Sequence, residues 1–282
     1  MSKILKMGFS PCPNDTFIFH ALASGAVSID PFSLDITLAD VEELNSHARA
    51  GRMDICKVSV HAAAHIMKDY VLLRAGGAMG RGVGPLLLTG EHCTIGDLNG
   101  KKIAIPGRNT TANLLFSLMC REANIRVELV EMVFDQIMPA IADKKVDAGV
   151  VIHEGRFTYQ ASGLHKLADL GQWWEDYSGL PIPLGSIAIK RELGPETAAQ
   201  VNAAIRKSLT LSYVDDEAAW PYIKQHAQEM DDSVIREHIK TFVTDYSMDV
   251  GTEGEQAVSR LLQAAARLDG IELPDLPIFI DI

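Results

Sequence analysis

Short apolar runs alternate with helix-length amphipathic stretches from the start of the chain, the pattern of β-α-β units around a mostly parallel sheet. Residues 4–9 read as the first strand. Asn14 or Asp15 then reads as the cap of a helix running to Ala23, because a short polar side chain accepts a bond from an orphan first-turn amide. Strands at 33–38, 55–60 and 71–75 follow, separated by helices at 41–50 and 61–68. The stretch Gly76-Gly77-Ala78-Met79-Gly80-Arg81-Gly82-Val83-Gly84 carries five glycines in nine residues, which marks a flexible or tightly turning connection and predicts a hinge. A strand at 86–89 carries the chain into a second lobe, with strands at 103–105, 127–133 and 149–152 and helices at 111–123 and 135–144. The apolar run Ile187-Ala188-Ile189 beside Gly185 suits a buried return strand, and from Pro195 onward the pattern is helical, at 195–213, 217–228, 233–242 and 252–268. Lobe 1 is therefore expected at 1–88 plus 186–282, with the helical tail packed on it, and lobe 2 at 89–185.

An internal echo supports two equivalent lobes. Ala48-Arg49-Ala50-Gly51-Arg52-Met53-Asp54-Ile55 and Ile141-Ala142-Asp143-Lys144-Lys145-Val146-Asp147-Ala148 each read as helix end, turn, Asp and strand. Basic turns before an Asp-led strand are common in α/β folds, so the apolar strand after each turn is the firmer half of the comparison.

Composition narrows the class. A chain of 282 residues, 47% hydrophobic and 22% charged and without a long apolar run, has the composition of a globular protein with no membrane span. The formal net charge is −11 and the basic residues fall in scattered pairs such as Lys101-Lys102 and Lys144-Lys145, which argues against nucleic-acid binding. Residues 1–8 have no apolar core of signal-peptide length, so the expected compartment is the cytoplasm. Cys12, Cys56, Cys93 and Cys120 form no close pair, so free thiols are expected rather than a zinc knuckle or redox dithiol.

Candidate chemistry gathers at predicted strand ends, which in open α/β sheets face the ligand crevice. Two prolines flank Cys12 ahead of Asn14-Asp15-Thr16, more polarity than a helix cap needs, while Cys12 itself has no base nearby and reads as packing. Lys57, Ser59 and His61 alternate along and beyond one strand; Ser59 is best placed for a ligand, and Lys57 alternatively neutralises an acidic neighbour. Pro106-Gly107-Arg108-Asn109-Thr110-Thr111 places hydroxyls and free amides at a helix start, which is either an anion seat or a plain cap, and it lacks the lysine of a nucleotide loop. His153 follows an apolar strand directly and has the proton affinity of a general base near neutral pH, with Glu154 as a possible orienter. His61 and His65 stand four apart, but HAAAH carries no acid, so no metal site is expected. Trp173, Trp174 and Tyr177 either cover a ring-shaped ligand or pack a core, the more ordinary role.

Ser10-Pro11-Cys12-Pro13-Asn14-Asp15-Thr16-Phe17-Ile18-Phe19-His20, Lys57-Val58-Ser59, Gly107-Arg108-Asn109-Thr110-Thr111-Ala112 and Ile152-His153-Glu154-Gly155-Arg156-Phe157-Thr158-Tyr159, in this order and spacing, resemble the 1,4-dihydroxy-6-naphthoate synthases of the futalosine route to menaquinone. Cys56 and Val60 depart from the pattern around the serine. The resemblance implies a two-lobed type II periplasmic-binding-protein-like α/β fold, with a ligand cleft between the lobes. It further implies a lyase reaction on cyclic dehypoxanthinyl futalosine, a small anionic substrate, with no metal or organic cofactor. Carried over residue by residue, it makes His153 the catalytic base and assigns Ser59, Thr110 and Thr111 to substrate carboxylate or hydroxyls. Asn14 and Asp15 lie in the motif facing the cleft, and Lys57 and Asn109 belong to the same matching segments. Chorismate dehydratase of the same pathway, a pyrimidine-precursor synthase and a non-catalytic binding protein for small anions are the competing readings on this architecture. The sequence leaves the oligomeric state open.

Overall fold

In chain order the strands of the computed structural model are β1 (Lys3–Phe9), β2 (Phe32–Leu38), β3 (Ile55–Ser59), β4 (Tyr70–Leu72), β5 (Ala78–Gly80), β6 (Leu86–Thr89), β7 (Lys102–Ile105), β8 (Glu128–Glu131), β9 (Ala148–Val151), β10 (His165–Asp169) and β11 (Ile182–Lys190). The structure describes residues 3–228 and 231–281. Met1, Ser2, Glu229, Met230 and Ile282, which the expected ranges of the first lobe include, lie outside the described residues. The chain divides into one unit made of Met1–Gly80 with Pro183–Ile282 and a second made of Arg81–Ile182, so β6 falls wholly in the second.

In the first unit the sheet order is β2-β1-β3-β11-β4, with β5 added on β11. β1 runs parallel to both neighbours, Met7 lying opposite Ile36 and Ile55, whereas β11 runs antiparallel to β3 and β4. The sheet is thus mixed rather than mostly parallel, because the strand that brings the chain back into this unit enters from the opposite end. Helix Pro13–Ala23 starts on a proline, which gives up no needed N–H there and already has a helical φ. It is buried from Pro13 through Leu22, so it shows no polar face. Phe17, Ile18 and Leu22 join Leu5, Met7 and Phe9 of β1 and Ile205 and Leu209 of helix Pro195–Val214 in one core. The hydroxyls of Ser208 and Ser212 each donate, at 2.6 Å, to the carbonyls of Ile18 and Phe17. Helices Pro195–Val214, Asp216–His226 and Asp232–Phe242 all pack on Pro13–Ala23, as expected of the tail.

In the second unit the order is β10-β6-β9-β7-β8, with β7 parallel to β8 and β9, and β6 antiparallel to β9 and β10. Its core combines Leu86, Leu88, Ala104 and Val151 with Ile137 and Ile141 of helix Phe134–Ala142. Helix Leu170–Ser178 lies so close to the chain entering β6 that a Cβ on Gly84 would stand 2.2 Å from the backbone of Gly171. Trp174 is fully buried and its indole donates to the Pro181 carbonyl at 3.1 Å, while Trp173 stacks on Tyr177. Among the described residues, no helix is long and apolar enough to cross a membrane. All four cysteines are free.

The internal echo is a structural repeat. Asp54 accepts from the Lys6 amide at 3.0 Å and donates its own amide to the Lys6 carbonyl at 2.9 Å. Asp147 does the same with Lys102, at 2.9 Å in both directions. Each aspartate thereby pins the start of a strand, β3 or β9, to its parallel neighbour, and the residue three places earlier, Gly51 or Lys144, has a positive φ in both. Several elements differ from expectation: the glycine-rich stretch holds β5, the helix expected at 61–68 is the single turn Val60–Ala64, and β10 with helix Leu170–Ser178 occupies a segment for which the pattern predicts no element.

Candidate functional site

β1 and β3 are parallel neighbours, so the turn after Phe9 and the end of β3 at Ser59 leave the sheet at the same carboxyl edge. Neither Asn14 nor Asp15 caps the helix as expected. The cap position is Cys12, whose carbonyl accepts from the amides of Asp15 and Thr16, because Pro13 starts the helix two or three residues earlier than a cap at Asn14 or Asp15 would. Freed from capping, the Asp15 carboxylate collects four donors: the Ser10 amide at 3.1 Å, the Ser10 hydroxyl at 2.8 Å, the Asn14 side-chain amide at 2.9 Å and the Lys57 ammonium at 2.7 Å. Lys57 also donates to the Gly76 carbonyl at 2.9 Å. Both charges are almost wholly buried, so the pair is stabilised by these bonds rather than by water. Lys57 therefore does neutralise an acidic neighbour, and that neighbour is Asp15.

Two partners of this group were not read from the sequence. His238, 1% exposed, sets Nε2 2.9 Å from Oδ1 of Asn14. Asn45, fully buried, accepts from the Ser59 amide at 2.9 Å and donates to the Ser59 hydroxyl at 3.2 Å. The available signal was a polar residue on an apolar helix face: Asn45 beside Leu44 and Ala48 in Val41–Arg49, and His238 between Ile235 and Phe242 in Asp232–Phe242. Burial pushes the Cys56 thiol up to about 12, with the Asp15 charge acting in the same direction.

In the second unit β7 and β9 are parallel neighbours, so the Pro106–Thr110 turn and the Ile152–His153 turn again leave one carboxyl edge. Gly107 has φ 148°, a conformation glycine adopts without strain. The Thr110 hydroxyl caps helix Thr111–Glu122, accepting from the Asn113 amide at 3.2 Å and donating to the Gly107 carbonyl at 2.8 Å. Thr110 and Thr111 are buried and Asn109 is half-buried, while Arg108 turns outward to pair with Glu131.

His153 has φ 56°, a left-handed backbone uncommon for a residue with a Cβ. Its imidazole is half-buried and meets the Phe134 ring edge-on at 4.8 Å. What holds the turn is the rest of its motif. A Cβ on Gly155 would stand 2.3 Å from Val151, and Arg156 donates to the carbonyls of Gly84 at 2.6 Å and Gly82 at 2.7 Å and pairs with Asp169 at 2.7 Å. Asp169 in turn caps helix Leu170–Ser178. An unfavourable backbone fixed this firmly by its surroundings is characteristic of functional positions.

Residues 5–267 match the family model described as menaquinone biosynthesis. The chain is 47% identical over 264 residues to a 1,4-dihydroxy-6-naphthoate synthase of Streptomyces coelicolor, covering 93% of each chain. It is 45% identical to the synthase of the same name from Thermus thermophilus, covering 98% of this chain and 99% of the relative. A crystal structure of an Archaeoglobus fulgidus protein superposes with TM-score 0.87 at 32% identity, over 95% of this chain and 98% of that one. The periplasmic aliphatic sulphonate binding protein of Escherichia coli superposes with TM-score 0.66 at 14% identity, over 100% and 95%, which shows a shared periplasmic-binding-protein-like fold. With one family model spanning most of its length and two relatives near half identity, the chain belongs to the menaquinone-biosynthesis family.

Proposed function

We propose that this protein is a 1,4-dihydroxy-6-naphthoate synthase, a carbon–carbon lyase that converts cyclic dehypoxanthinyl futalosine to 1,4-dihydroxy-6-naphthoate with His153 as the general base. The observation that carries the reading is the strained, clamped turn of His153 at the end of β9, beside the strand that leads into the Thr111–Glu122 helix start. A helix N-terminus favours a carboxylate, and imidazole is the side chain most often used as a general base. The seat for the substrate carboxylate is the amide end of that helix, with Asn109, Thr110 and Thr111 beside it. His153 then removes a proton, and carbon–carbon cleavage proceeds toward an aromatic product.

Asn14, Asp15, Lys57 and Ser59, at the carboxyl edge of the first sheet, are proposed as substrate-binding residues. Ser59 accepts from Asn45 and has a hydroxyl proton to give to a substrate oxygen. Asp15 and Lys57 keep that edge rigid and polar. The free cysteines suit a reducing compartment, in line with a cytoplasmic enzyme acting on a small anion.

The test is direct: purified protein is incubated with cyclic dehypoxanthinyl futalosine and the naphthoate followed by mass and fluorescence. Product formation is expected. Folded protein that forms none, or that turns over chorismate instead, overturns the reading.

A further inference from the structure

The acid that HAAAH lacks in sequence is supplied by the far end of the chain. His61 lies in the single-turn helix Val60–Ala64 and His65 follows as its cap in helical conformation, so the two imidazoles stand one turn apart on the same side. Helix Gly251–Asp269 packs against this turn and ends on Asp269. One oxygen of Asp269, Oδ2, lies 2.8 Å from Nε2 of His61 and 2.8 Å from Nε2 of His65. The three ligand atoms all fall within 4.8 Å of one another.

We infer that His61, His65 and Asp269 form a binding site for a divalent transition-metal cation of the zinc class. Zinc sits about 2.0–2.2 Å from imidazole nitrogen and carboxylate oxygen, which puts neighbouring ligand atoms about 3.3 Å apart in a tetrahedron. Opening the two contacts from 2.8 Å to that spacing takes roughly half an ångström, and Asp269 and His65, 23% and 17% exposed, have room to move. His61, at 5% exposed, is the fixed ligand, and the partly open side leaves the fourth position to water.

Charge argues the same way. A carboxylate at the last residue of a helix faces the negative end of the helix dipole and is unfavourable there without a cation. A divalent ion supplies that charge and uses both imidazoles as ligands. Magnesium and calcium, which require mostly oxygen ligands, do not suit two imidazoles. The ion takes no part in the proposed proton transfer. It clamps the end of helix Gly251–Asp269 to the turn that leaves β3 immediately after Ser59.

The experiment is isothermal titration of chelator-treated full-length protein with zinc chloride in a non-coordinating buffer, alongside the visible spectrum with cobalt(II). One equivalent is expected to bind at micromolar concentration or below, with cobalt bands of a nitrogen-and-oxygen site and a higher melting temperature in zinc. Loss of a residue that only orients a metal ligand already costs about 10–100-fold in affinity, so losing a direct ligand in Asp269→Asn or His65→Gln is expected to cost at least about tenfold. Because His65 is partly exposed, His65→Gln carries the test if Asp269→Asn does not fold. Zinc that binds both variants as it binds the parent, with His92 or Cys93 then the sites to suspect, overturns the assignment, as does parent protein that binds none below millimolar zinc.

Discussion

Lys57 and Asp15 form an ion pair of 2.7 Å with side chains only 7% and 2% exposed, between the strand and the helix that meet at one edge of the first sheet. Removing one partner leaves a buried charge without compensation, so Lys57→Met or Asp15→Asn alone is expected to cost about 3–5 kcal/mol in denaturant unfolding. The double substitution is expected to cost less than the sum of the two. Additive losses would show that the pair is not energetically coupled.

Activity and stability are expected to separate at His153. His153→Gln should lower turnover about 100- to 10,000-fold, the usual worth of a general base. His153→Gly should be equally inactive yet hold or raise the melting temperature, since a Cβ costs roughly 1–2 kcal/mol in left-handed backbone. Substantial activity in either variant would remove His153 from the mechanism.

Acid should weaken the fold through His20. Burial is the larger influence and lowers its proton affinity below the ordinary value, with Asp215 opposing it, and its Nδ1 meets the Ser212 hydroxyl at 3.0 Å. A histidine with a depressed folded pKa leaves the unfolded chain binding the extra proton. Stability from this group is thus complete above about pH 6.5 and falls as pH drops from there toward the folded value. Melting curves between pH 7 and pH 5 should show a shallower decline in His20→Gln than in the parent, and identical slopes would rule out His20 as a contributor.

Thiol reactivity should rank by burial. Cys56, pushed up to about 12, and Cys120, pushed up to about 11, carry almost no thiolate at neutral pH, whereas Cys93 is half-exposed. A disulfide reagent is expected to label Cys93 first and Cys56 only after denaturation, as read by peptide mass. Early labelling of Cys56 would mean that β3 opens readily.

What the sequence disclosed was local in origin. The strand starting near Ile4, the helical tail and the turn before Asp54 or Asp147 depend on apolar period and short-range chemistry, which any window of the chain displays. The capping rule points to Asn14 or Asp15 because it looks only at neighbours, and it cannot foresee Lys57, 42 residues away, as the partner of Asp15. His238 under Asn14 and Asp269 beside His61 stand still farther off, at separations of 224 and 208 residues. β5 escaped notice because its three residues sit among glycines. The polar motifs stand at the carboxyl edges of the two sheets, and the partners that hold them there are set by tertiary packing alone.

The contact of Gly84 with Gly171 makes two distant positions interchangeable in what they forbid. A methyl group at either would have to occupy space already filled by the other's main chain, at 2.2 or 2.6 Å. Any member of this family with a side chain at one of these places must therefore have shifted the Leu170–Ser178 helix, and with it the Asp169 carboxylate that anchors Arg156. Alanine at Gly171 thus becomes a way to loosen the His153 turn through Asp169 and Arg156 while leaving every residue of the turn unchanged.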